Sequence, residues 1–139
     1  MTLRYLLDTN IVSRLARRIP PPRLVTRLER DEAHCAISAV TVEELRYGAL
    51  VAPDERREPL LAFVQMIERR FPVLPYDGPA ACWAADQREQ LRRNLRTIAH
   101  PDLCVAATAG SRAMIVVTNN VRHFEVFAGL AVEDWTPEG

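Results

Sequence analysis

The chain has no lysine: all 18 of its basic residues are arginine. That absence removes every chemistry needing a lysine Schiff base or a P-loop lysine, and leaves a cation suited to bidentate contact with carboxylate or phosphate. An excess of either charge is missing too, because 18 acidic residues bring the formal net charge to zero. A broad basic surface of the kind that marks a nucleic-acid binder is therefore excluded, and any such partner has to be held locally. Cysteine is sparse. Cys35, Cys82 and Cys104 are odd in number, far apart and each set in an apolar stretch. Neither a disulfide framework nor a CxxC metal site fits, so the three read as small core residues in a reducing compartment. No apolar run reaches the length of a membrane span, and Met1 to Arg4 leave no room for a cleavable signal, so the expected location is the cytoplasm.

What the chain does have is 139 residues, 48% of them hydrophobic, enough for one domain (1–139) with a real core. Strand and helix signals alternate along it. Strands are expected at 3–8, 35–38, 72–76, 113–118 and 130–135, the last edge-like and the "AMIVVT" run suited to the middle of a sheet. Helices are expected at 10–17 and 23–32, separated by Pro20, Pro21 and Pro22, and at 40–50, 55–71, 79–95 and 102–110. In the fourth, Leu60, Val64, Ile67 and Phe71 recur at helical spacing. Such alternation implies right-handed βαβ units and a three-layer α/β/α sandwich around a mainly parallel sheet. Ligands of such sheets bind beyond the carboxyl ends of the strands.

Acidic and amide residues fall at that rim. Asp8 ends the first strand, Glu43 and Glu44 lie in the helix after the second, Asp102 opens a helix, and Asn119 and Asn120 follow "AMIVVT". Carboxylates brought together resist simultaneous ionisation unless a cation lies between them, and oxygen-only donors suit Mg²⁺ or Mn²⁺. Each residue also has a plainer reading. Asp8, Thr9 or Asn10 can cap the following helix, Asp102 can serve the helix dipole, and the asparagines can form a turn. Glu43 and Glu44 point about 100° apart, so only one of them can face a given site. Glu44 shares a small-residue face with Thr41 and Gly48.

The histidines carry little: His34 precedes a strand, His100 a proline, and His123 lies among turn residues, without the spacing of a metal pair or a triad. Trp83 and Trp135 read as packing residues. "QREQLRRNLR" (87–96) concentrates four arginines that could meet phosphate.

Four stretches, "YLLDTNIVSRL", "ISAVTVEELRYGAL", "DLCVAATA" and "VVTNNVRHFEVFAGLAVEDW", in this order and spacing, resemble the PIN-domain ribonuclease toxins of the VapC type, in VapBC toxin-antitoxin pairs. The resemblance covers nearly the whole chain and departs mildly at "IAHPDL". It implies a PIN-like fold and an acidic site of Asp8, Glu44 and Asp102, with Asn120 in a fourth position where many relatives have aspartate. Asp8, Asp102 and Glu44 would hold Mg²⁺, with Thr9, Thr118 and Asn119 supporting them. It further implies an RNA endonuclease that leaves 5′-phosphate and 3′-hydroxyl ends on transfer RNA or ribosomal loops, a VapB-type antitoxin whose tail occludes the site with an arginine, and a homodimer. Alternatives are a PIN nuclease of RNA maturation, a PIN scaffold that binds without cutting, and a receiver-type signalling domain. The last needs a lysine that this chain does not have.

Overall fold

The computed structural model describes residues 2–137. Along the chain come β1 (Tyr5–Leu7), α1 (Thr9–Arg14), α2 (Pro22–Asp31), a 3₁₀ turn (Glu32–His34), β2 (Cys35–Ser38), α3 (Ala39–Leu50) and α4 (Asp54–Arg70). Then follow β3 (Val73–Leu74), α5 (Gly78–Arg93), α6 (His100–Gly110), β4 (Ile115–Val117), α7 (Val121–Phe124) and β5 (Val132–Glu133). All the strand pairings are parallel, in the order β3-β2-β1-β4-β5. The centre of the sheet is thus β1, which pairs with β2 on one side and β4 on the other. The "AMIVVT" strand, expected in the middle, lies one place from the β5 edge.

Alternation of side chains across the strands divides the core in two. Leu6, Ala36 and Val116 face a layer built from α5, α6 and the Phe124–Phe127 segment. Tyr5, Leu7, Cys35, Ile37 and Val117 face the opposite layer, with Ile11, Val12, Leu24, Leu28 and Ile67 from α1, α2 and α4. Helices on both faces complete the α/β/α sandwich. The second face carries the crossovers from β1 to β2 to β3, and the first carries the return to β4, as right-handed connections require when the chain reverses direction across a sheet.

Helix ends follow local chemistry. Pro22 begins α2, where a missing N–H costs nothing. Ser38 caps α3 by accepting the Thr41 N–H at 3.1 Å, and Asp77 caps α5 by accepting the Ala80 N–H at 3.1 Å. Gly110, at the end of α6, has no side chain because the Trp83 indole occupies the space a Cβ would need. At the end of α5, Arg96 N–H bonds back to the Leu91 carbonyl (2.9 Å) and Leu95 N–H to Arg92 (3.1 Å), a Schellman turn. Its left-handed position is held by Leu95, at φ +55, instead of the usual glycine.

Two expectations need correction. Cys35 and Cys104 are buried, but Cys82 is exposed on α5, where the apolar neighbours that suggested a core position face away from it. His123 lies in α7 and not in a turn. This helix is too short to form by propensity, and the complete burial of Phe124 is what draws it onto the core.

Candidate active site

In the strand order 3-2-1-4-5 the chain departs from β1 toward β2 on one side and later returns to β4 on the other. The crevice beyond the carboxyl ends of β1 and β4 is the place where such sheets bind ligands. Asp8 follows β1 and Thr118 follows β4, and the two meet there. The Asp8 N–H bonds the Val117 carbonyl at 2.9 Å, prolonging the ladder, and the Thr118 hydroxyl donates to Asp8 Oδ2 at 2.9 Å. Thr118 Oγ1 in turn accepts the Asn120 N–H at 2.9 Å, which fixes the turn after β4.

Both readings of Asp8 are realised, unequally. It is the N-cap of α1, and its carbonyl accepts the Ile11 and Val12 N–H groups. Its carboxylate, however, takes only the N–H of the adjacent Thr9, at 2.8 Å, and not those of Asn10 or Ile11 that a capping side chain ordinarily satisfies. The side chain is turned toward the crevice, with 5% of the residue exposed. Burial pushes its pKa from 3.8 up to about 6, against the lowering effect of the Thr118 and Thr9 hydrogen bonds, and the negative charges of Asp102 and Glu44 add to the rise. Asp102 and Glu44 therefore lie within the electrostatic field of Asp8.

A line of hydroxyls holds Glu44. Thr9 Oγ1 donates to Glu44 Oε1 at 2.6 Å, so the 3.0 Å contact between Thr41 and Thr9 must have Thr41 as donor, and Ser38 donates to Thr41 at 3.3 Å. Each proton points toward the carboxylate. Thr41 and Ser38 are buried; the sequence places Thr41 on the same helix face as Glu44, whereas Ser38, a strand-terminal serine, has no distinguishing pattern there. Glu43, one residue away, is exposed.

Asp102 lies in the first turn of α6, partly open to solvent, with Oδ2 3.4 Å from His123 Nδ1 on α7. Sequence reasoning passed over His123 because 21 positions separate it from Asp102 and no spacing rule links them. Asn120 is half-buried at the start of α7, tied to the site through its backbone. Asn119 Oδ1 is buried, without a hydrogen-bond partner among the described residues.

Asp8, Glu44 and Asp102 come from three separate segments, near enough that the charges of Glu44 and Asp102 act on Asp8, and this acidic cup has Thr9 bonded to Glu44 and Thr118 to Asp8. Among the described residues no three carboxylate, histidine or cysteine side chains close into a ready-made cage for a metal ion. The donor set still fits a hard divalent cation. It is oxygen-only, among the described residues no arginine is in an ion pair with Asp8, Glu44 or Asp102, and its most buried member resists ionisation, mainly through burial and further through the negative charge of the other two. An ion that keeps several of its own waters, as Mg²⁺ does, needs no closed cage of protein ligands.

Comparison with known proteins comes to the same place. A family model described as the PIN domain matches residues 5–130. A protein named tRNA(fMet)-specific endonuclease VapC, from Shigella flexneri, is 37% identical over 134 residues, which is 96% of this chain and 99% of the relative. Ribonuclease VapC2 of Haemophilus influenzae (strain ATCC 51907 / DSM 11121 / KW20 / Rd) is 32% identical over 133 residues, covering 96% and 98% of the two chains. Among solved structures, one chain of the DNA-bound VapBC from Salmonella typhimurium superposes with a TM-score of 0.90 at 35% identity, over 96% of this chain and 99% of that one.

Proposed function

Because the chain belongs to the PIN-domain ribonuclease toxins of the VapC type, we propose that it is a divalent-metal-dependent endoribonuclease, hydrolysing RNA at the acidic cup and restrained by a VapB-type antitoxin. The observation that carries this reading is the Asp8 carboxylate itself: buried at the switch point of the sheet, hydrogen-bonded to Thr118 just past the neighbouring strand, and within the field of two further acids with no basic side chain among the described residues paired with it.

Asp8, Asp102 and Glu44 would hold Mg²⁺ or Mn²⁺, directly or through water, and a metal bound there would supply an acidified water as nucleophile and offset charge developing on the scissile phosphate. The chain's own residues contribute position. Thr118 fixes the rotamer of Asp8, and the hydroxyls of Ser38, Thr41 and Thr9 aim at Glu44 and hold it as an acceptor. Strand ends and the helices that follow them keep these groups in register where loops would not, and burial of Asp8 limits the water that can compete for its oxygens. Asn120, whose backbone N–H is held by Thr118, would complete the cluster, its carboxamide orienting substrate without adding charge. His123 contacts Asp102 from the outer side.

By kinship the substrate is a structured RNA with an accessible loop, transfer RNA being what the name of the Shigella relative specifies for that protein. A homodimer and cytoplasmic action belong to the same reading.

The test is cleavage of purified cellular RNA by the purified protein, with the ends of the products sequenced. Cleavage should require Mg²⁺ or Mn²⁺, stop in excess EDTA, and fall at least a hundredfold in Asp8→Ala and in Asp102→Asn while both variants remain folded. Full activity in EDTA, or in either variant, overturns the reading.

A further inference from the structure

Two hollows adjoin on the outer side of the α5–α6 layer. One, of about 610 Å³, is lined by Arg88, Arg92, Arg96 and His100 among others, and the second, of about 390 Å³, by Asp102, Arg122 and His123. They share Arg96, Thr97 and Ile98 in their walls, so together they form one channel that runs along α5 and ends at Asp102, one of the three acids of the cup. The channel gathers charge that the neutral chain does not show as a whole.

Not every arginine in it is free. Arg92, in its wall, and Arg93 beside it, both in the last turn of α5, bond Glu89 of the same wall at 2.9 and 3.1 Å and complement the helix dipole, which explains them without a ligand. Arg88, Arg96 and Arg122 have no such explanation, since among the described residues none of them is in an ion pair or a side-chain hydrogen bond. Arg88 and Arg92 are one helical turn apart, and the turn at Leu95 carries Arg96 onward to the junction of the two hollows. A left-handed leucine costs about 1 kcal/mol relative to glycine. That strain, on a residue 95% exposed, is accepted at the point where the chain must reverse to bring Arg96 to the channel. Planar guanidiniums with unused donors, spaced along a groove, suit the successive phosphates of a single strand.

We propose that RNA enters the acidic cup along this channel, its phosphates meeting Arg88, Arg96 and Arg122 before the scissile one reaches Asp102. The proposal rests on the endonuclease reading above and adds the path of its substrate.

Binding of a fluorescein-labelled, mixed-sequence single-stranded RNA of about 12 nucleotides to the full chain, followed by anisotropy in EDTA to prevent cleavage, tests it. For single strands, log affinity falls with log salt at a slope of roughly 0.7 per phosphate neutralised, so Arg88→Gln/Arg96→Gln should lower the slope by about 1.4 and weaken binding roughly tenfold or more at low salt. Arg88→Lys/Arg96→Lys should keep the slope. Arg30→Gln/Arg69→Gln removes equal charge from the opposite rim, where α2 and α4 end ahead of β2 and β3, and should leave the slope unchanged. These exposed arginines are not core residues, and an unaltered melting temperature shows that each variant is folded. An unchanged slope in the channel variant, or an equal fall in the opposite-rim variant, overturns the channel. So does a channel variant that keeps its RNA affinity but loses binding to a poly-glutamate peptide, which would make the groove a site for an acidic protein segment. A wild-type protein that neither binds this RNA nor cuts any other overturns the endonuclease reading itself.

Discussion

Replacing Asp8 with asparagine should inactivate the protein and stabilise it. The carboxyl has a pKa of 3.8 in the unfolded chain and about 6 in the folded one, mainly because burial penalises the charged form. A difference of about 2 units corresponds to about 3 kcal/mol between the protonated and ionised states. The folded protein holds the proton more tightly than the unfolded chain, so stability falls as pH rises. The loss starts near the unfolded value of 3.8, accumulates up to about 6 and is complete above that. Asparagine escapes this loss because it never ionises. It keeps one acceptor for the Thr9 N–H but sets an amide donor against the Thr118 hydroxyl, at a cost of about 1 kcal/mol.

In EDTA, then, Asp8→Asn should be no more stable than wild type near pH 4 and about 2 kcal/mol more stable at pH 7. For a chain of this size that is a rise in melting temperature of roughly 6–8 °C. Urea titrations of both proteins at intervals across this range give the difference directly, and groups that titrate alike in both cancel. Mg²⁺ at pH 7 should raise the melting temperature of the wild type and not that of the variant, because only the native carboxylate gains a counter-charge. Parallel stability curves for the two proteins from pH 4 to pH 7 would refute the reasoning, since they would mean that the folded site does not resist the charge on Asp8.

Two further outcomes follow from the same geometry. Thr118→Val removes the hydroxyl whose hydrogen bond opposes the rise in the Asp8 pKa and leaves the Asn120 N–H without its acceptor. It should cost about 1–3 kcal/mol in urea denaturation and move the acid limb of the cleavage pH profile upward, and an unmoved limb would mean that Thr118 does not tune Asp8. Leu95→Gly relieves the left-handed conformation at the end of α5 and should stabilise by about 1 kcal/mol in the same assay, net of the greater freedom of glycine in the unfolded chain. A loss of stability there would show that the leucine is not strained.

The layers were legible in the sequence because burial writes a period into it. "YLL" and "IVV" are apolar without a break, as strands covered on both faces must be, and Leu60, Val64, Ile67 and Phe71 mark the inner face of α4. Both ends came out long by one or two residues at four of the five strands, since extended sequence character runs past the last ladder bond; β2, bounded by His34 and the capping Ser38, matched at both ends. The acids of the cup could be named one at a time, but their meeting could not be read from periodicity, which says nothing about distances between distant segments. What escaped altogether depends on tertiary contact: α7, held by Phe124, the approach of His123 to Asp102, and the hydroxyl line from Ser38 to Glu44. The Schellman turn escaped for another reason, because its position is filled by leucine and not by the glycine that signals it.

The placement of the acids also explains how the fold tolerates them. A carboxylate that costs the apoprotein about 3 kcal/mol at neutral pH consumes a large part of the stability a domain of this size has. β1 is the strand best able to carry that cost. It lies at the centre of the sheet, between the two other inner strands and with fully buried Leu6 and Leu7 on opposite faces, so strain at its carboxyl end cannot be relieved by peeling an edge. A carboxylate buried as deeply as Asp8 at the end of β3 or β5, each a two-residue edge strand, would rest on a support held from one side only, and Glu133, which ends β5, is accordingly only partly buried and paired with Arg27. In the proposed function, anything that brings positive charge to the cup, whether a divalent ion or an arginine of an antitoxin, would recover the same energy. The two ligands should therefore compete, and each should raise the melting temperature less when the other is already bound.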